Sequence, residues 1–213
     1  MVAKVAGRLI PPPNFNPLRK HNNMGMIGCF HAVGDDDLEA LVQEPKRICR
    51  FFGVEESTPP KPGFLARLLG AKAPVPRVDA WQPSGEAAEF DADKAWHGIH
   101  FLLTGTASGG TGPLAVIQVG GREIMEEIGY GCPRGFTGAE VALINAALQA
   151  VDAAALFDAA DPAQFAEQDI YPRIWEKEAK EDCLGYVMDH FEGLREFVQA
   201  TAKSGRGMIV SLQ

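Results

Sequence analysis

Asp93, His97 and His100 are the residues whose types and spacing come nearest to a reactive constellation. They fall in the segment 91–104, which reads as a helix: acidic residues open it, Trp96, Ile99 and Leu103 make a buried stripe, and Gly105 offers a stop. At i,i+4 and i,i+3 the three side chains would project from one face. Two imidazoles and a carboxylate are ligand types of a zinc or non-haem iron centre, and such a centre could support a small metal-assisted hydrolase. Glu126, Glu127 or Asp169 could complete the set, with Glu127 kept beside Asp93, His97 and His100 as a candidate polar site. The spacing is not H-E-x-x-H, in which two histidines one turn apart bracket a glutamate base. The structural alternative has Asp93 interacting with the helix dipole and both histidines satisfied by carbonyls or aromatic partners. No bound metal and no cofactor is expected.

Cys132, in the turn Gly129-Tyr130-Gly131-Cys132-Pro133, would be a nucleophile if His97 or His100 lay beside it as a base, and a packed turn cysteine otherwise. The loop Gly105-Thr106-Ala107-Ser108-Gly109-Gly110-Thr111-Gly112 has the glycines of a phosphate cradle, but it lacks the G-K-[ST] ending of a P-loop and reads as a surface loop. Tyr171, Arg173 and Trp175, with Trp96, are the residue types that dominate protein interfaces, and form the candidate docking cluster; packing of Trp175 into the core is the alternative.

The elements that must position these residues follow from periodicity and punctuation. A strand-length apolar run spans 26–33, and Gly34 with Asp35, Asp36 and Asp37 then starts a helix carrying Leu38, Leu41 and Val42 inward. Pro45 opens a second short helix with Ile48, Phe51 and Phe52. The run 114–119, between Pro113 and Gly120, reads as a buried strand. Thr137 and Glu140 have capping-box spacing, with Phe136 and Val141 as the staple of the helix that follows. A long helical stripe runs through 174–202, and 208–212 reads as a terminal strand. The implied fold is α+β: one compact domain with a small mixed or antiparallel sheet, its first and last strands possible neighbours, against several helices and a long C-terminal helix.

The chain of 213 residues is 46% hydrophobic and 23% charged, an ordinary globular composition for one core. Its net charge is −8; because residues 1–23 carry Lys4, Arg8, Arg19 and Lys20 and no acid, the rest carries −12. That sign argues against a nucleic-acid partner, and no apolar stretch is long enough for a membrane span. Residues 1–23 read as a basic disordered arm or the product of a misplaced start, followed by the domain at 24–213. Five prolines at about 54–80 mark an inserted loop, with a helical turn over 64–69. Four scattered cysteines without a C-x-x-C pair fit reduced thiols in a cytoplasm.

Met24-Gly25-Met26-Ile27-Gly28, Asp93-Lys94-Ala95-Trp96-His97-Gly98-Ile99-His100-Phe101-Leu102-Leu103-Thr104-Gly105, Gly129-Tyr130-Gly131 and Ile170-Tyr171-Pro172-Arg173-Ile174-Trp175 together resemble the YfbM-like family, a bacterial domain of unknown function. The resemblance implies a compact α+β protein beginning near Met24 and supplies no activity. With no complete catalytic motif and an acidic body, the expectation is a cytoplasmic binding or accessory protein without enzymatic activity, capable of neutralising a basic partner such as a toxin. The alternative is the metal-assisted enzyme on Asp93, His97 and His100.

Overall fold

The computed structural model describes residues 25–53, 81–85 and 88–213. The basic arm at 1–23 and the proline-rich stretch at about 54–80, with its helical turn, lie outside the described residues. The first and last strands, β1 (Gly28–Val33) and β5 (Gly207–Leu212), pair antiparallel at the centre of a five-stranded sheet, Phe30 facing Val210 and His31 facing Ile209. β2 (Glu89–Asp91) flanks β1, and β4 (Arg134–Phe136) and β3 (Arg122–Glu123) extend the sheet beyond β5. Among the described residues every pairing is antiparallel, giving the order β2-β1-β5-β4-β3.

Strand side chains alternate between faces, so the two central strands divide the core. Phe30, Met208, Val210 and Phe136 join the larger cluster, built with α3 (Trp96–Thr104), α4 (Gly138–Gln149) and the long α7 (Lys180–Lys203). Val33 and Ile209 point the other way, to Leu38 and Leu41 of α1 (Asp35–Gln43) and Ile48 of α2 (Arg47–Phe51). α7 buries Leu184, Val187, Phe191, Leu194 and Val198, the i,i+3/i+4 stripe legible in its sequence. The capping box forms: Thr137 Oγ1 accepts the Glu140 N–H at 3.3 Å and the Glu140 carboxylate accepts the Thr137 N–H at 2.7 Å. The two acidic openings are tied together where Asp35 accepts the Gly138 N–H at 2.8 Å.

Three expectations fail, each for a local reason. The helix expected over 91–104 is a strand end, a 3-10 turn at Asp93–Ala95 and only then α3. The Asp91 carboxylate accepts the Asp93 N–H at 2.6 Å, a side-chain turn that competes with helix, and Asp93 takes φ 44°. The strand expected over 114–119 is a 3-10 turn at Pro113–Ala115 followed by helical bonding, with the Gln118 and Val119 N–H groups both donating to Ala115 O. A short apolar run fits a buried turn as well as a strand, and Pro113 presets the turn. The stripe over 174–202 becomes helical only at Lys180; ahead of it α5 (Ala153–Ala159) and α6 (Pro162–Glu167) start on the caps Asp152 and Asp161. Among the described residues no single helix is long and apolar enough to cross a membrane.

Candidate functional site

Trp96 opens α3 with its indole almost fully buried and its Nε1–H donating to the Met26 carbonyl at 3.1 Å. Gly28 makes room for it, since a Cβ there would lie 2.6 Å from Trp96 Cβ. The imidazole of His97 stacks on the indole at 4.8 Å and 8°, and the Tyr171 ring stacks at 6.3 Å. The Tyr171 hydroxyl and Lys94 close over Gly25, where a Cβ would approach each within 2.7 Å. Gly129 sits against Leu212 and Gln213, and the Tyr130 N–H donates to the Leu212 carbonyl at 2.8 Å. The segments 25–28, 93–100, 129–131 and 170–175, far apart in sequence, therefore converge at one end of the sheet.

Within this site the hydrogen-bonding capacity of His97 is fully used. Its Nε2 lies 2.7 Å from the Ala107 carbonyl and must carry the proton, and its Nδ1 accepts the Tyr171 N–H at 3.0 Å. Burial holds the imidazole below its ordinary pKa, with the Ala107 carbonyl and Asp169 opposing. His97 is a neutral strut between α3, the loop at 105–112 and the segment at 170–175. His100, one turn on, is fully buried and neither ring nitrogen has a partner. Burial first, then repulsion by His97 where acid protonates it and by Arg134, push its pKa down to about 4.

Asp93 lies before α3, not on its face. Its carboxylate accepts the Tyr186 hydroxyl at 2.9 Å, and the same oxygen of Tyr186 accepts the Lys94 N–H at 3.2 Å. Burial, and then Asp93, raise the Tyr186 phenol above its usual range. Glu127 is exposed in the turn between β3 and β4. Asp93, His97, His100 and Glu127 are thus not gathered on one centre, and among the described residues no three His, Cys, Asp or Glu side chains are placed to hold a metal ion.

The docking cluster is divided as well. Trp175 is buried, donates to the Ile170 carbonyl at 2.5 Å and packs on Phe165 at 4.6 Å. Trp96 is also core, Tyr171 is half-buried, and Arg173 alone stands exposed, paired with Asp169 at 2.6 Å.

A cavity of about 450 Å³ opens beside His97, lined among others by Trp96, Gln118, Tyr130, Cys132 and Arg134. Cys132 and His97 do share it, but the imidazole lone pair is committed to the Tyr171 N–H, so no base faces the thiol from there. The glycine-rich loop is exposed and pinned from this side: Gln118 donates to Ala107 O at 3.1 Å and accepts the Gly109 N–H at 3.2 Å. Arg134 donates to the carbonyls of Val116, Ile117 and Gly120. Gln118, Arg134 and Tyr186 were not foreseen. Arg134 meets carbonyls 14 to 18 residues upstream and Tyr186 meets Asp93 across 93 residues, separations that carry no local pattern.

The family profile described as Domain of unknown function (DUF1877) matches residues 24–211. The crystal structure of YfbM from Escherichia coli, described as a protein of unknown function, is similar in fold, with a TM-score of 0.59 and 19% identity over 88% of this chain and 99% of that one. A comparison with curated proteins gives no match.

Proposed function

The chain belongs to the DUF1877 family, and we propose that it is a non-catalytic binding or accessory protein of the cytoplasm that engages a basic protein partner, for instance to neutralise a toxin. The observation that carries this reading is the saturation of His97, whose two nitrogens serve Ala107 O and the Tyr171 N–H. A side chain with no free lone pair and no partnerless N–H holds a scaffold and does not relay protons or bind metal. The sign of the surface supports the nature of the partner. Residues 152–196 contain twelve acidic side chains, all exposed, against four Lys or Arg. Arg173 and Arg195 are engaged with Asp169 and Glu192, so the remaining charge is uncompensated by them. Such a field accelerates capture of a cation and fades within a Debye length of about 8 Å at physiological salt.

Affinity capture with the full chain, at low and raised salt, tests the reading alongside elemental analysis of protein purified without chelator. The expected result is a stoichiometric basic partner that is lost as salt rises and retained by His97→Gln. A transition metal near one equivalent, lost in His97→Gln, would overturn it in favour of a metal-assisted enzyme, and a partner indifferent to salt would overturn its electrostatic part.

A further inference from the structure

A guanidinium has five N–H donors and a charge that burial penalises unless it is paired. In Arg134 three donors are used: Nη1 to Gly120 O at 3.2 Å, and Nη2 to Val116 O at 3.0 Å and Ile117 O at 2.5 Å. All three acceptors are neutral. Among the described residues no carboxylate forms an ion pair with it; Glu123, its register partner on β3, acts on it only through its field. Burial draws the Arg134 pKa down to about 10. Its Nε–H and the second Nη1 hydrogen have no partner among the described residues, and the side chain lines the cavity.

A second observation lies within reach of the same charge. His100 is fully buried with both ring nitrogens unpartnered, and Arg134 is one of the charges that keep it neutral. The orphaned imidazole is neutral and is not on the cavity wall, so the guanidinium supplies the positive charge there, with Glu123 opposite it on the same wall. The rest of the cavity wall is mixed: Trp96, Ile117, Val210 and Leu212 are apolar, Ser108 and Gln118 polar, and Glu123 acidic.

We infer that this cavity binds a small organic monoanion, a carboxylate with a short apolar body, whose charge is taken by Arg134. Among the described residues that line the cavity Arg134 is the only Lys or Arg, enough for one carboxylate and short of the cations that would neutralise a buried dianion or polyphosphate. A carboxylate needs only one strong donor set, and its body fills the wall of Trp96, Ile117, Val210 and Leu212. The inference does not depend on the protein-partner reading, since the cavity lies on β4 and β5 and not on the acidic region at 152–196.

The test titrates benzoate, and benzamide as its neutral isostere, into the full chain labelled with nitrogen-15, following the Arg134 Nε–H resonance. Benzoate is expected to shift it saturably and benzamide to leave it unmoved. Glu123→Gln, an exposed change, should tighten benzoate about threefold by removing the opposing charge, and Arg134→Gln should weaken it by about tenfold or more. Equal shifts from both compounds, no shift with benzoate, or benzoate binding unaltered by Glu123→Gln would overturn the inference. If Arg134→Gln does not fold, the wild-type pair of titrations and Glu123→Gln still decide it.

Discussion

The Nδ1 of His97 accepts the backbone N–H of Tyr171 at 3.0 Å, joining two stretches 74 residues apart through a ring whose other nitrogen serves Ala107. Two hydrogen bonds in a half-buried ring make His97 a stability residue. His97→Ala is expected to cost about 2–3 kcal/mol in urea unfolding, because two backbone groups lose partners. Asn can keep the acceptor for Tyr171 and Gln the donor for Ala107, so each is expected to recover about half of that. An Ala variant as stable as wild type would show that the strut carries nothing.

His100 and His31 make stability depend on pH. Both are pushed down to about 4, His31 by burial, while the ordinary histidine value is 6.5. Their folded pKa values are depressed, so between about 4 and 6.5 the unfolded chain binds more protons. Stability is therefore fully present above pH 6.5 and falls as pH drops toward 4, by at most about 3 kcal/mol per histidine. Glu89, 3.7 Å from His31 Nδ1, opposes the effect there, whereas Arg134 and His97 reinforce it at His100. Because neither nitrogen of His100 is partnered, His100→Leu is expected to be neutral or stabilising at pH 7 and to flatten the slope between pH 4 and 6.5. Urea midpoints across that range check both statements. An unchanged slope in His100→Leu would assign the effect elsewhere.

The elements legible in the sequence were those whose signals are local. The capping box of Thr137, the acidic opening of α1, the glycine stop of α3 at Gly105 and the stripe of α7 are each written within one or two turns, and all four form. The pairing of β1 with β5 was legible as two apolar runs at the chain ends. β2, β3 and β4 have two or three residues each, too few for an alternation to show. At the site, the pattern Asp93, His97, His100 was visible but its meaning was not. One side-chain bond from Asp91 takes Asp93 off the helix, and the partners that saturate His97 come from 107 and 171.

Trp175 and Arg173 separate core from surface within one short segment. Trp175 is buried against Phe165 with its indole N–H satisfied, so Trp175→Ala is expected to cost about 3–5 kcal/mol. Arg173 is largely exposed and its ion pair with Asp169 is worth little, so Arg173→Ala should stay within about 0.5 kcal/mol of wild type. Thermal melts distinguish the two. Any loss of a partner on Arg173→Ala then reports on contact and not on folding, whereas the same loss on Trp175→Ala would be uninformative about an interface.

Asp93 and Tyr186 form the other long-range link, at 2.9 Å, with the phenol oxygen also accepting the Lys94 N–H. Tyr186→Phe removes a donor to the carboxylate and an acceptor from the backbone together, and is expected to cost about 2 kcal/mol. Asp93 holds φ 44°, which Asn tolerates and Ala does not, so Asp93→Asn should be milder than Asp93→Ala by about 1 kcal/mol. The double variant Asp93→Ala with Tyr186→Phe isolates the bond between them: its cost should fall short of the sum of the singles by about 1 kcal/mol. Strict additivity in urea unfolding would mean that Tyr186 acts through Lys94 alone, and that the carboxylate at 93 is free for another role.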